Sequence, residues 1–246
     1  MITREFSRPA GVRPGGWRAW VSTTLLLLSL VGQLLAGEGF LAPNQPDGVA
    51  LLPPPPVTNS AEYAADLASA RDVFKARTPE EQRRAEKDAN LSLYNFAPAI
   101  GSFFQPGKFP KMEALFENVR TNIAEAINTP KNHWKRQRPY EVDPELSLGK
   151  PEASSSYPSG HSTRGTVQSL LLADLFPEQR EAILRFGCDI GWDRVLIGKH
   201  FPTDVYAGRV LGRAIVRELM ASATFQRDLA EAKAEVRLVL GATDQK

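Results

Sequence analysis

Helix signals follow one another from Ser60 to the C-terminus and leave little room for a sheet. Ser60 stands where it can N-cap a helix over residues 61–76. Thr78, Pro79 and Glu81 carry the pattern of a capping box with proline in the first turn. Further helices are expected over 110–127, 162–175, 178–197, 203–220 and 223–240, and few runs alternate β-branched with polar residues. The expected fold is therefore all-α, a single-domain helical bundle over residues 61–246 without internal repeats.

What precedes the bundle has a different character. Arg4, Arg8, Arg13 and Arg18 lead into the uncharged stretch "AWVSTTLLLLSLVGQLLAG" ending at Gly37. A basic start, a short apolar run and small residues at Ala36-Gly37 read as a secretory signal peptide over 1–37. An uncleaved anchor is the alternative, because the run approaches the length of a membrane span. Residues 38–60 are rich in proline and turn formers and read as an extended lead-in rather than a core element. Beyond Gly37 no apolar run is long enough to span a bilayer, so the mature body is expected to work without a membrane, in the periplasm or secreted. A formal net charge of +2 gives no reason to expect nucleic acid. The single cysteine, Cys188, excludes an intrachain disulfide and reads as a small buried hydrophobe on a helix.

Three separated segments carry polar residues that a helical bundle does not need. In "KNHWKRQRP", Thr129-Pro130 looks like an N-cap and first-turn pair, which puts Lys131 in the opening turn of a short helix. By itself the cluster of Lys131, Lys135, Arg136 and Arg138 reads as a solvated basic face. In "YPSGHS", one of only three histidines sits at a helix start. There the backbone N–H groups of Ser159, Gly160 and His161 are expected to point outward unpaired, and Gly160 lets an anion approach closely. The Ser159 hydroxyl adds a donor; an N-cap turn with an incidental histidine is the alternative. In "DRVLIGKHFPTDVYAG", a helix from about Pro202 puts Asp204, Gly208, Leu211 and Ile215 on one inward face, with Arg209, Arg213 and Arg217 on another. A lone inward carboxylate is costly and needs a partner. His200 is the nearest imidazole, and an Asp204–Nδ1 bond would leave Nε2 with a free lone pair. A structural cap with an exposed His200 is the competing reading.

Taken in order, Lys131-x6-Arg138-Pro139, Pro158-Ser159-Gly160-His161 and Arg194-x5-His200-x3-Asp204 resemble the three-part signature of the PAP2 superfamily. The likeness is strongest to bacterial class A nonspecific acid phosphatases. "LLPPPP", "KDANLS", "SYPSGHS" and "FQRDLAEAKAE" extend it over roughly residues 50–240. The resemblance implies hydrolysis of phosphomonoesters, with Lys131, Arg138, Ser159, Gly160 and Arg194 binding phosphate. It further implies that His200 attacks phosphorus to form a phosphohistidine, that Asp204 holds its ring, and that His161 protonates the leaving oxygen and then activates water. It implies no cofactor and no metal, and a possible homodimer.

Two departures stand out. Asp193 occupies a place where the superfamily usually has serine, and a carboxylate there is placed to pair with Arg194 or Lys199, weakening the grip on phosphate or shifting the pH optimum. The cysteine pair common in the subfamily is missing. A vanadium-dependent haloperoxidase, a membrane-embedded lipid phosphatase and a phosphate-binding module without turnover are the other readings of the same signature.

Overall fold

The structure, a computed structural model, describes residues 39–243; the expected signal peptide and anchor alternative lie outside the described residues. Within them the chain is built from helices and connecting turns. Short α1 (Gly48–Leu51) precedes α2 (Ala61–Ala76) and α3 (Pro79–Asp88). After a 3-10 turn come α4 (Ala97–Ile100), α5 (Pro110–Asn122), α6 (Ala124–Trp134) and α7 (Pro139–Val142). The long elements close the chain: α8 (Gly160–Leu175), α9 (Arg180–Leu196), α10 (Pro202–Ala221) and α11 (Ala223–Thr243).

Local signals set most of these boundaries. The Ser60 hydroxyl accepts from Tyr63 N–H, and Thr78 and Glu81 exchange both bonds of a capping box. The expected 110–127 helix is interrupted at Ile123. Just before the break, the Thr121 hydroxyl and the Asn122 amide bond back to carbonyls of the preceding turn. Such back-bonding competes with the helical ladder and bends it. Pro130 does not open a helix as the sequence suggested. It lies inside α6, so Lys131 belongs to that helix's last turn. Pro130 cannot donate a backbone hydrogen bond, and burial of its ring with Ala126 and Ile127 on one face of α6 offsets that loss. Lys135, in the left-handed conformation, ends the helix by returning its N–H to Lys131 O.

The centre of the molecule is α8, packed against α9 on one side and α10 on the other. Close approach explains the glycines at these crossings. A Cβ on Gly187 would lie 2.3 Å from Ser169, and one on Gly208 would lie 2.6 Å from Ser159 O. The second contact matters for function, because it brings the N-termini of α8 and α10 together. Glu235 of α11 caps α5 from outside by accepting the N–H of Lys111 and Met112. At one end of the core, Phe104 and Phe109 meet Phe176 edge-on, with centroids 5.6 and 5.9 Å away.

Two expectations need correction here. The lead-in is part of the core: Phe40 and Leu52 are buried in it, and Phe40 packs edge-on against Phe225. Its N–H donates to Asn122 Oδ1, and Tyr157 reaches back to donate to Pro53 O. Full burial of one such phenylalanine contributes about 2–3 kcal/mol, enough to draw a proline-rich strand onto the bundle. Cys188 is on a helix as expected, but it faces solvent rather than the interior. Among the described residues no helix is long and apolar enough to cross a membrane.

Candidate active site

The turn between α9 and α10 delivers His200. Gly198, at φ +67°, lets the chain reverse under Leu146 O, where a Cβ would sit only 2.1 Å away. The N–H groups of Lys199 and His200 both return to Arg194 O, which locks the turn onto the end of α9. Asp204, in the first turn of α10, is fully buried and accepts the N–H of Phe201. The inward face inferred from the sequence is the observed one: Asp204, Gly208, Leu211 and Ile215 are all buried.

His200 is 2% exposed, and its two ring nitrogens have different neighbours. Nδ1 lies 3.3 Å from Asp204 Oδ2, and Nε2 lies 3.3 Å from Arg138 Nη1. A guanidinium can only donate, so Nε2 accepts and the proton sits on Nδ1, facing the carboxylate. Burial, and then the charges of Arg138, Lys131 and Arg194, hold the imidazole well below its ordinary pKa. The ring is neutral, with a lone pair on Nε2.

Around that lone pair stand Lys131, Arg138 and Arg194, each no more than 4% exposed. Lys131 and Arg138 spend part of their donors on backbone carbonyls, chiefly of loop 147–159. Lys131 Nζ donates to Ser155 O, and Arg138 donates to Ser154 O and to Lys199 O at 2.8 Å each. Lys199 Nζ donates to Lys150 O, which fastens the start of the loop. Arg194 is different. Its Nη2 pairs with the Glu152 carboxylate, while its buried Nε and Nη1 have no partner among the described residues. Burial, with Arg138 close by, pulls Lys131 down to about 7.

The N-terminus of α8 faces the same space. Ser159 caps the helix by accepting Ser162 N–H. Its own N–H does not point outward as expected; it donates to Asp204 O at 3.0 Å and ties the two helix starts together. Gly160 and His161, as the first two helical residues, have no intrahelical acceptor for their N–H groups. A Cβ on Gly160 would come within 3.7 Å of Lys131 Cε, so a side chain would fill the space beside the ammonium. His161 Nε2 lies 3.1 Å from Ala89 O, in the "KDANLS" segment. A carbonyl only accepts, so Nε2 carries a proton and Nδ1 is the nitrogen left to exchange one. All eight residues that the resemblance assigned to the site thus lie at this one place, drawn from α6, α8, α9, α10 and three connecting segments.

A comparison of the whole sequence with known proteins bears on this arrangement. The PAP2 superfamily profile matches residues 116–228, which contain all three segments. A non-specific acid phosphatase of Providencia stuartii is 31% identical over 199 residues, 77% of this chain and 80% of that protein. The chain belongs to the PAP2 superfamily. A non-specific acid phosphatase of Salmonella typhimurium is 30% identical over 198 residues, 75% of this chain and 78% of that protein. An acid phosphatase of Zymomonas mobilis is 30% identical over 203 residues, 77% of this chain and 75% of that one. The protein is a PAP2 phosphatase.

The position where this PAP2 member departs from its superfamily turns out to face elsewhere. Asp193 is fully buried and takes a forked contact from Arg84 of α3, with Nη2 to Oδ1 at 2.7 Å. The expected pairing does not occur: Arg194, the next residue on the helix, points about 100° away, and Lys199 Nζ donates to Lys150 O. Burial raises the Asp193 carboxyl to about 6 against the opposing pull of Arg84.

Sequence reasoning missed three contributors. Arg136, expected on a solvated basic face, is 8% exposed and bridges Asp204 at 2.6 Å and Asp66 of α2 at 2.7 Å. Ser156 Oγ donates to Asp204 Oδ2 at 2.5 Å. Glu152 reaches Arg194. The only signal for the first was its place between Lys131 and Arg138; nothing local marked the other two. His133, the third histidine, lies exposed beside Trp134 and outside the site. Among the described residues no group of three or more His, Cys, Asp and Glu is placed to hold a metal ion.

Proposed function

We propose that this protein hydrolyses phosphate monoesters through a phosphohistidine on His200, and that it does so outside the cytoplasm. The observation that carries the reading is the neutral His200 ring, whose Nε2 lone pair opens toward three buried cations. Phosphoryl transfer asks little of a protein beyond positioning and charge stabilisation. Lys131, Arg138 and Arg194 supply positive charge to the nonbridging oxygens, with the Ser159 hydroxyl and the Gly160 N–H as neutral donors. His200 Nε2 attacks phosphorus in line as the ester P–O bond breaks, and the electron pair leaves on the alcohol oxygen. His161 gives that oxygen a proton. It then takes a proton from water, whose oxygen attacks phosphorus; the P–N bond breaks and returns its pair to Nε2. Asp204 keeps the Nδ1 proton in place throughout. Charge compensation by side chains means EDTA should not lower the rate.

The two histidines are separated by leaving group. His200→Ala should release neither alcohol nor p-nitrophenolate. His161→Ala should lose alkyl phosphate hydrolysis, yet give a burst of p-nitrophenolate and leave acid-labile phosphate on the protein. Phosphoenzyme accumulating in His200→Ala instead would exchange the two roles. Export rests on the basic, apolar and small pattern of residues 1–37. Active protein from an envelope extract should begin just after Ala36 or Gly37, and one still beginning at Met1 would contradict cleavage.

A further inference from the structure

Glu152 belongs to no segment of the superfamily signature, yet among the described residues it is the carboxylate ion-paired directly with a phosphate-binding cation. It lies on loop 147–159, is partly exposed, and pairs with Nη2 of the deeply buried Arg194. Tyr140 Oη accepts its backbone N–H at 2.9 Å, which fixes where the side chain starts. Arg138, His161 and Lys199 join Arg194 in stabilising its negative charge. A guanidinium offers two forked edges, Nε with Nη2 and Nη1 with Nη2. Both forks include Nη2, the atom that Glu152 holds, while Nε and Nη1 have no partner among the described residues. Nη2 carries two N–H groups, one on each fork, so a phosphate must either displace Glu152 from the fork it faces or lie beside it as a second anion on the same guanidinium.

We propose that Glu152 is an internal competitor for the phosphate site, a carboxylate that holds Arg194 until the phosphoryl group displaces it and so sets the affinity for substrate and for product phosphate. Its position fits that task. The side chain is exposed enough to swing toward water, whereas Arg194 is buried and stays. By weakening the hold on inorganic phosphate, it favours release of the second product. This inference rests on the phosphatase reading and names a residue that sets phosphate affinity within it.

The test is direct binding of orthophosphate and of orthovanadate by calorimetry, together with KM and kcat for p-nitrophenyl phosphate. Glu152→Gln should bind both anions about fivefold more tightly, as expected for removing a half-exposed competing charge. Inhibition by phosphate should strengthen in step, with KM moving more than kcat. Glu152→Asp, a methylene shorter, should fall between the two. In an Arg194→Ala background the Glu152→Gln gain should vanish, since the competition acts through that guanidinium. Unchanged or weaker anion binding by Glu152→Gln, or a gain that persists without Arg194, would overturn the proposal. A wild-type protein that hydrolyses the ester and binds vanadate, beside an indifferent Glu152→Gln, sinks this inference alone. A wild-type protein that does neither sinks the phosphatase reading with it.

Discussion

Burial and the neighbouring Arg194 guanidinium pull the His161 imidazole down to about 4, while its bond to the Ala89 carbonyl pulls the other way. A general acid must be protonated, so the competent fraction of free enzyme falls as pH rises through that value; a bound phosphate dianion shifts it upward. kcat/KM for an alkyl phosphate should therefore decline across the acid range. His161→Ala acting on p-nitrophenyl phosphate should lack that limb, and an identical limb in the variant would assign it to another group. Asp193 makes a separate prediction. Its folded pKa of about 6 lies above the ordinary carboxyl value of 3.8. Between those values the folded state holds a proton that the unfolded state has lost, so its contribution to stability falls as pH rises from about 4 to 6 and is level beyond. Replacing it removes this decline. Asp193→Asn should gain on wild type across the window by on the order of 2 kcal/mol, read from urea unfolding at several pH values. Affinity for phosphate should move less than twofold, because the carboxylate faces Arg84.

At the scale of elements, the site depends on how the turn after α9 is shaped. Residues 197–201 reverse direction over a glycine with positive φ and no room for a side chain. Gly198→Ala meets both penalties at once, the left-handed backbone and the Leu146 carbonyl. It should cost at least ~2 kcal/mol of stability. Because His200 lies two residues on, kcat should fall further than stability explains. Retention of full activity with an unchanged melting temperature would show that the turn can relax. Sequence reading located this turn by its polar residues but expected the α8 N-terminus to point three free N–H groups outward. Two remain, because the close approach at Gly208 gives the third to Asp204 O.

Across the whole molecule, Arg136 is the joint. It connects α2 through Asp66, α10 through Asp204 and Thr203, and lies 3.9 Å over the Phe201 ring. Truncating it would leave two buried carboxylates without their cation, a loss of about 3–5 kcal/mol. Arg136→Ala should unfold at markedly lower urea concentration than Lys131→Ala, whose cation serves the ligand more than the frame. Equal midpoints for the two variants would remove Arg136 from this structural role.

Helix order, the caps at Ser60 and Thr78, the inward face of Asp204 and the histidine at the start of α8 were all legible in the sequence. Each depends on residues within a turn or two of one another, where periodicity and capping chemistry act. The three signature segments also named the residues that gather at the site. Only the tertiary structure decided that Pro130 sits inside a helix, that Phe40 belongs to the core, and that Arg136 is buried between two carboxylates. It also paired Asp193 with Arg84, 109 residues away, and Glu152 with Arg194. Packing chooses a charged partner among all the groups that it brings into reach, and sequence spacing carries no record of that choice.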